Sequence, residues 1–250
     1  MSWLLDIFLV VGAYIYVILV ILIPKYLKEK EKISGFTARK IIHLLAGLSI
    51  FITPFLEFYW YAVIISGSLM ILVFFSSKES KIKPLKELYE AISEEAEEKV
   101  GYLQGPFNYC LSVFLLMLVF SIIATFGLKL FYFPIAGILI MIVSDTLASV
   151  IGKRYGRIKI KLKWTNTERT IIGSLTLFAS AFALSYLSYW LFGFVLIMDQ
   201  VTITIEEVLI FSLLTSVIAT ITELLSPSTY DDLTVPILTT IVIFIFSIFI

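Results

Sequence analysis

The sequence has very few residues of the types that build disulfides or zinc sites. It contains one cysteine, Cys110, and one histidine, His43, among 250 residues. An internal disulfide is excluded, and a zinc site of histidine and cysteine ligands is poorly supported. Any metal must therefore be bound by oxygen ligands, which are the ligands that Mg²⁺ prefers. The sequence predicts Mg²⁺ as the metal of this protein.

Charged residues are also scarce, at 15% of the chain, whereas 60% of the residues are hydrophobic. The apolar residues form runs long enough to cross a bilayer, which excludes a soluble globular domain. The first run is too long for a signal-peptide core and is predicted to be a retained helix. Eight runs are predicted to form transmembrane helices, at residues 3–24, 41–56, 58–76, 106–126, 131–151, 171–193, 206–225 and 233–250. The predicted fold is all-α and polytopic, with residues 1–250 forming one membrane-embedded domain.

The basic residues are distributed unevenly between these runs. Residues 25–40, 77–104 and 152–170 contain 18 of the 19 lysines and arginines, and only Lys129 lies elsewhere. Eight spans place these three segments and the loop 226–232 on one side, which the positive-inside rule makes cytoplasmic. We therefore predict an integral protein of the cell membrane, with both termini outside and the active site facing the cytoplasm.

The segment 77–104 contains KELYEAISEEAEEKV, a run of good helix formers. Leu88, Ile92 and Ala96 recur every four residues, and acidic residues occupy the other faces. This pattern predicts an amphipathic helix at the cytoplasmic side or at the membrane interface. A solvated connector helix is the alternative.

A carboxylate lies near the end of the fifth run, in the segment SDTLASVIGKRYG. Asp145 is about two turns inside the membrane boundary, where a carboxylate is costly unless it is paired or lines a wet cavity. A functional role is predicted, and a hydrogen bond to a neighbouring helix is the alternative. A second pattern in this segment is a stripe of small residues every four positions, which allows a helix or a ligand to approach closely. The stripe consists of Ser144, Ala148, Gly152 and Gly156.

Seven basic residues follow this helix within the segment 152–170. Its sequence IKIKLK alternates in the manner of a short strand or an extended loop. Lysine and arginine neutralise phosphate while a carboxylate holds Mg²⁺, so the combination predicts a triphosphate site. Anchoring to anionic lipid is the alternative. The seven residues are Lys153, Arg154, Arg157, Lys159, Lys161, Lys163 and Arg169.

Three further acids lie in the segment ELLSPSTYDDLTVP. Glu223 is near the end of its run, and Asp231 and Asp232 precede the last run. Helix capping would explain one of the two aspartates, but not both together with Glu223. The three acids are therefore predicted to bind metal and transfer protons.

The segment RKIIHLLAG at the start of the second run carries Arg39, Lys40 and His43. Arg39, His43 and Gly47 are four residues apart and share one helix face, which directs a cation and an imidazole inward. A hydrogen-bonded structural histidine is the alternative to a functional one.

The order of these motifs resembles that of the CTP-dependent polyprenol kinases, the dolichol kinase and phytol kinase group. This group lies within a wider membrane superfamily that includes the phosphatidate cytidylyltransferases. The resemblance extends from about Arg39 to Pro236, and it implies transfer of the γ-phosphate of CTP to a long-chain isoprenoid alcohol of the polyprenol, dolichol or geranylgeraniol type. The matched positions are Arg39, Lys40, His43, Asp145, Ala148, Gly152, Gly156, Thr170, Gly173, Ser174, Glu223, Asp231, Leu233 and Pro236.

The resemblance and the charge pattern together assign roles to the candidate residues. The predicted catalytic residues are Asp145, Asp231, Glu223 and His43. The predicted Mg²⁺ ligands are Asp145, Asp231 and Asp232. The predicted nucleotide-binding residues are Lys153, Arg154, Gly152, Gly156, Lys163, Arg169, Thr170, Gly173, Ser174, Arg39 and Lys40. The predicted partners are CTP, a membrane lipid alcohol and the bilayer, with no nucleic acid and with a homodimer left open.

The chain departs from the family pattern at Ser144, Ile172 and Asp232, where the family has Gly, Glu and Asn. Glu168 is a candidate replacement for the missing acid, provided that its helix begins before Thr170. A CTP-dependent diacylglycerol kinase or a CDP-lipid-forming cytidylyltransferase is an alternative function. A transporter with intramembrane acids is less favoured, because charge gathers at one interface and no inverted repeat is visible.

Overall fold

A computed structural model describes residues 2–93, 95–162, 165, 167–196, 199–227 and 230–249. The described residues form eleven α-helices and a two-stranded antiparallel sheet. The chain divides into two compact units, Met1–Phe114 and Leu115–Ile250. That residues 1–250 act as a single membrane-embedded domain stays a prediction.

The first unit contains long apolar helices and two short polar ones. Ser34 caps the second helix, because its hydroxyl accepts a hydrogen bond from the backbone N–H of Thr37. This helix continues as a 3₁₀ helix over Leu48–Phe55, which contains Pro54. The helices are α1 (Ser2–Glu29), α2 (Gly35–Gly47), α3 (Trp60–Phe75), α4 (Lys83–Ile92), α5 (Glu95–Val100) and the beginning of α6 (Gln104–Thr125).

Helix α3 runs in the same direction as α1. At one end of the unit, the carboxylate of Asp6 accepts hydrogen bonds from the backbone N–H groups of Glu57 and Phe58, at 3.0 and 2.8 Å, just before α3 begins. At the other end, Ile21 of α1 and Leu72 of α3 both pack against α4. The C-terminal parts of α1 and α3 therefore lie at the same end of this unit.

The amphipathic helix predicted from KELYEAISEEAEEKV is not continuous, because α4 ends at Ile92 with Ser93 as its C-cap and α5 begins at Glu95. Helix α4 forms the first part of the predicted helix. Pro84 lies in its first turn, where no backbone N–H is needed for the helix. Its apolar face packs on the C-terminal parts of α1 and α3 and on α2, so the alternative of a solvated connector is wrong for this helix. The buried face consists of Leu88, Tyr89, Ala91 and Ile92, joined by Leu103.

The second unit surrounds a helix that is buried on all sides. All eight residues of that helix, α7 (Tyr132–Leu139), are buried, which is the pattern of a central helix. A π-helical turn, Ile140–Ser144, joins α7 to the next helix, and a second π-helical turn, Trp190–Val195, follows α9. The other elements are α8 (Asp145–Tyr155), β1 (Lys159–Lys161), β2 (Glu168–Thr170), α9 (Ile171–Tyr189), α10 (Ile205–Leu225) and α11 (Asp231–Ser247).

The two ends of the second unit differ in polar content. At one end, Lys129 pairs with Asp199 at 3.6 Å, and the carbonyl of Lys129 accepts a hydrogen bond from Val201 N. At the other end lie the C-terminus of α8, the β1–β2 hairpin, the start of α9, the end of α10 and the start of α11. Nearly all the charged candidate residues of this unit are at the second end.

Within the residues that the structure describes, six helical segments are long and apolar enough to cross a membrane, which supports an integral membrane protein. The predicted number of eight is wrong by this criterion, although every predicted run contains a helix. The two remaining runs form α3 and α11, with 16 and 17 residues. A 16-residue helix is about 24 Å long, less than the roughly 30 Å hydrocarbon core. The six segments are Trp3–Glu29, Thr37–Phe55, Gln104–Thr125, Tyr132–Tyr155, Ile171–Val195 and Ile205–Leu225.

Candidate active site

Arg169 lies at the centre of the charged end of the second unit. Its Nε is 3.0 Å from Oε1 of Glu223, and its Nη2 donates to Oδ2 of Asp231 at 3.1 Å. The side chains of Arg169, Glu223 and Asp231 are 18%, 5% and 13% exposed. Strand β2 supplies the arginine and two different helices supply the carboxylates, so the pairing fixes the hairpin against α10 and α11.

The carboxylates near this guanidinium outnumber it. Burial lowers the pKa of Arg169, but the negative charges of Glu223, Asp231 and Asp145 outweigh that effect and raise its pKa above the ordinary value. Asp145 therefore lies within electrostatic reach of the same guanidinium, as the sequence predicts for a common site. Three acids lie within reach of one arginine and Asp232 lies next to Asp231, so the cluster has more acidic than basic groups.

Several buried polar atoms near this cluster have no hydrogen-bond partner among the described residues. They include Oε2 of Glu223 and the hydroxyl groups of Ser144 and Ser174. A buried polar group without a partner costs about 1–3 kcal/mol, so such groups are rare unless a ligand, an ion or water satisfies them. Ser174 was predicted to bind nucleotide, and its unsatisfied hydroxyl is compatible with that role.

The alternating sequence of the basic segment after α8 predicts a short strand or an extended loop, and the segment forms strand β1 of an antiparallel hairpin. Lys159 pairs with Thr170 and Lys161 with Glu168 across the two strands. Lys153, Arg154 and Arg157 are exposed on the approach to the hairpin. The guanidinium of Arg154 lies 5.3 Å from the ring centroid of Tyr155. Lys163, another predicted phosphate ligand, lies outside the described residues.

The small-residue stripe of α8 packs against the start of α9. A Cβ atom at Gly152 would lie 2.8 Å from Oγ1 of Thr170 and 3.3 Å from Cα of Gly173, and a Cβ at Gly156 would meet the side chain of Thr170. Thr170 caps α9 by accepting a hydrogen bond from Gly173 N at 3.1 Å. Helix packing therefore accounts for the two glycines of α8 without the approach of a nucleotide, and the predicted nucleotide contacts of Gly152, Gly156, Thr170 and Gly173 stay predictions.

Glu168 does not share a helix face with Ile172. Helix α9 begins at Ile171, and Glu168 lies on strand β2, where it forms ion pairs with Lys159 at 2.6 Å and with Lys161. The condition for its replacing the missing acid is therefore not met. Hydrogen bonds from Lys159 and Lys161 lower the pKa of Glu168 to about 2, which makes it a weak base.

Arg39, Lys40 and His43 belong to the first unit, on α2. Arg39 pairs with the buried carboxylate of Glu97 at 2.5 Å, and that carboxylate also accepts a hydrogen bond from Gly105 N at 2.8 Å. The ring of His43 packs on Tyr109, with centroids 4.6 Å apart. Both side chains point toward the interior of the unit, as their spacing predicts.

Glu97 is a residue that the sequence pattern did not single out, although it is 7% exposed and holds Arg39. It lies in a run of acids with no feature to distinguish it. Its pairing gives Arg39 a structural role, and the predicted roles of Arg39 and Lys40 in nucleotide binding and of His43 in catalysis stay predictions.

Among the described residues, no group of three or more Asp, Glu, His or Cys side chains is arranged to hold a metal ion. The predicted set of Asp145, Asp231 and Asp232 does not form such a group, because one oxygen of Asp231 pairs with Arg169 and the other accepts from Asp232 N. In phosphoryl transfer, however, Mg²⁺ is usually bound by one or two carboxylates, with substrate phosphates and water completing its shell. The excess of carboxylates fits that arrangement.

The chain is similar to three curated proteins. It is 30% identical over 167 residues to dolichol kinase of Saccharomyces cerevisiae, which covers 66% of this chain and 30% of the yeast protein. It is 25% identical to "Probable phytol kinase 2, chloroplastic" of Glycine max and to "Probable phytol kinase, chloroplastic" of Zea mays. Each match covers 88% of this chain, with 68% of the soybean protein and 69% of the maize protein.

The chain thus spans less than a third of the yeast protein and about two thirds of each plant protein. No family model matches it, and no solved structure is significantly similar. The names of the three relatives agree with the family that the order of motifs from Arg39 to Pro236 resembles. These similarities support assignment of the chain to the family of polyprenol, dolichol and phytol kinases.

Proposed function

We propose that this protein is a membrane lipid kinase that transfers the γ-phosphate of CTP to a long-chain isoprenoid alcohol. The observation that carries the proposal is the cluster of Asp145, Glu223 and Asp231 around Arg169, next to an exposed basic hairpin. The exposed Lys153, Arg154 and Arg157 provide positive charge for a triphosphate, and the carboxylates provide the negative charge that a phosphate-bound cation needs.

The hydroxyl of the lipid would enter beside the start of α9. Ile171, Ile172 and Leu175 are 40%, 39% and 61% exposed there, within six residues of Arg169. Apolar side chains on a membrane-spanning helix contact lipid, so the prenyl chain can lie along α9 with its hydroxyl at the charged end. This placement keeps the reacting oxygen at the interface, where a water-soluble nucleotide can reach it.

Phosphoryl transfer depends mainly on positioning and on charge neutralisation. The alcohol oxygen forms a bond to the γ-phosphorus, the bond from that phosphorus to the β–γ bridging oxygen breaks, and CDP leaves. We assign the hydroxyl proton to Asp145, the carboxylate that lies inside the apolar run and within electrostatic reach of Arg169. Mg²⁺ would be held by the phosphates and by another carboxylate of the cluster, and would neutralise charge on the transferred group.

The proposal is tested with purified protein in lipid nanodiscs. CTP labelled at the γ- or at the α-phosphate, and ATP labelled at the γ-phosphate, are incubated with a panel of phytol, geranylgeraniol, dolichol, diacylglycerol and phosphatidate. Phosphatidate is included because a CDP-lipid forms from a lipid phosphate and CTP, with pyrophosphate leaving. We expect label from γ-labelled CTP in an isoprenoid phosphate. Label from α-labelled CTP in the lipid would indicate cytidylyl transfer, and a preference for diacylglycerol or ATP would contradict the proposed substrate or donor.

Asp145→Asn keeps the shape of the side chain and removes its charge. We expect at least a roughly hundredfold loss of turnover at saturating Mg²⁺ and nucleotide, because a positioned proton acceptor typically contributes that much. Asp199→Asn, at the opposite end of the second unit, is the matched control and should retain activity. Near-normal turnover of Asp145→Asn would assign Asp145 to helix packing.

A further inference from the structure

A second basic surface lies in the first unit and has no part in the proposed reaction. It is formed by Lys78, Lys81, Lys83 and Lys86, with Ile82 between them, and is here called the lysine patch. All five side chains are exposed, and Ile82 is 59% exposed. Glu79 is the single acid within residues 78–86. The patch therefore combines a net positive charge with an exposed apolar side chain.

Most lysines of the patch form no ion pair within the described part of the chain. The nearby carboxylate of Glu87 is 2.6 Å from Nζ of Lys25 on α1 and 3.9 Å from Nζ of Lys83, whose side chain is 88% exposed. In the described part of the chain, no carboxylate lies within ion-pair distance of Lys78, Lys81 or Lys86. Their positive charge is available to an external partner.

The position of α4 indicates that this partner is the membrane surface. Its buried face packs on Ile21 of α1 and on Leu72 and Val73 of α3, near the C-terminal parts of both apolar helices. Lys28 of α1 donates hydrogen bonds to the carbonyls of Glu90 and Ala91, at 2.9 and 2.8 Å, and so fixes the last turn of α4. Helix α4 thus lies where the apolar helices of this unit end.

The chain reaches the patch directly from an apolar helix. Phe74 and Phe75, the last residues of α3, are 61% and 58% exposed, as expected for side chains in contact with lipid tails. Lys78 follows three residues after Phe75, so the patch begins at the level of the lipid headgroups. Four lysines at that level match the negative charge of anionic lipids.

We propose that the lysine patch binds anionic lipid headgroups and that Ile82 inserts between them. The contact would hold α4 on the membrane surface and fix the ends of α1 and α3 that pack against it. This role is independent of the chemistry in the second unit. A soluble phosphate compound is the other possible source of negative charge, and the experiment separates the two.

The test places a fluorophore at Ile82→Cys in a Cys110→Ser background, in nanodiscs that contain lipids with a spin-label quencher near the headgroup. Phosphatidylcholine discs are compared with discs that also contain phosphatidylglycerol. We expect stronger quenching when phosphatidylglycerol is present. The triple variant Lys81→Gln, Lys83→Gln and Lys86→Gln should weaken the preference for anionic lipid by about fivefold per lysine, since each contributes roughly that factor near a charged surface.

The triple variant Lys81→Arg, Lys83→Arg and Lys86→Arg is the matched control and should quench like the parent. Equal quenching in both kinds of disc would overturn the proposal. A decrease in quenching on addition of inorganic phosphate or CTP, equal in discs with and without phosphatidylglycerol, would also overturn the proposal. It would indicate that the patch binds a soluble phosphate compound. Neither readout depends on kinase activity, so failure here leaves the proposed function untouched.

Discussion

Arg169 pairs with two buried carboxylates that belong to different helices. Its removal would leave Glu223 and Asp231 buried without a counter-charge, and breaking a buried pair in this way typically destabilises a protein by about 3–5 kcal/mol. We expect Arg169→Gln to lower the free energy of unfolding by this amount, measured by unfolding in mixed detergent. Arg157→Gln, at an exposed site, is the control and should change it by less than about 0.5 kcal/mol.

The double variant Arg169→Gln with Glu223→Gln tests whether the pair itself is responsible. If it is, the second substitution removes a buried charge and restores part of the lost stability, so the two effects are not additive. Additive losses would mean that Arg169 acts through contacts other than its pair with Glu223.

Substitution of Glu168 is expected to leave the kinase activity nearly unchanged, unlike substitution of Asp145. The carboxylate of Glu168 is exposed on the hairpin, and hydrogen bonds from Lys159 and Lys161 lower its pKa to about 2. Its ion pairs therefore persist as the pH falls through the range in which a glutamate ordinarily takes up a proton. They are lost only near pH 2. We expect Glu168→Gln to retain kinase activity within about twofold, since a carboxylate of this pKa accepts protons poorly near neutral pH. A loss of a hundredfold would show that Glu168 takes part in catalysis from the strand.

That Asp145, Glu223 and Asp231 lie close together could be predicted from the sequence, because each lies at or near the end of an apolar run on the same predicted side. The partner of those acids could not, because Arg169 is one of seven basic residues in its segment and only tertiary contacts single it out. The same holds for Glu97 and Arg39, which are 58 positions apart in the chain. Local patterns carry no information about such pairs.

At the scale of elements, α8 and the start of α9 approach closely at Gly152. A Cβ at Gly152 would lie 2.8 Å from Oγ1 of Thr170 and 3.3 Å from Cα of Gly173, so the side chain of Thr170 or one of the helices must shift. We expect Gly152→Ala to destabilise the protein by about 1–3 kcal/mol, as overpacking does, and to lower the thermal midpoint. Gly12→Ala is the control, because nothing lies within 4 Å of its Cβ and alanine favours a helix.

A thermal midpoint of Gly152→Ala equal to that of the parent would mean that the two helices have room to adjust. In that case the glycine would be explained better by a ligand than by packing, as the family resemblance implies.

The helices, the amphipathic character of α4 and a short strand or extended loop in the basic segment were predictable from periodicity, but the pairing of β1 with β2 was not. The lengths were not, because helix ends depend on local hydrogen bonds. Thr170 caps α9 through Gly173 N, so the helix starts at Ile171 and excludes Glu168. In the same way α3 ends at Phe75, which leaves it shorter than the apolar run in which it lies.

At the scale of the whole molecule, the side of each basic segment depends on whether the 16-residue α3 crosses the membrane. In a Cys110→Ser background, we expect membrane-impermeant maleimide to label Lys129→Cys in intact cells, and Lys32→Cys and Lys159→Cys only after permeabilisation. Labelling of only one of the two positions Lys32→Cys and Lys159→Cys in intact cells would show that α3 does not cross. Labelling of both positions in intact cells would show that the predicted orientation is inverted.

The π-helical turn that precedes Asp145 has a consequence for the length of this segment. A π turn holds one residue more than the α-helical turn it replaces. Loss of one residue within 140–144 would convert the π-helical turn to an α-helical turn. The orientations of the fully buried α7 and of the carboxylate of Asp145 would not change. Loss of one residue within α8 would instead rotate everything beyond it by about 100°. Insertions and deletions of a single residue between related chains should therefore collect at this turn and at the turn Trp190–Val195, and sequence alignments should allow a gap there.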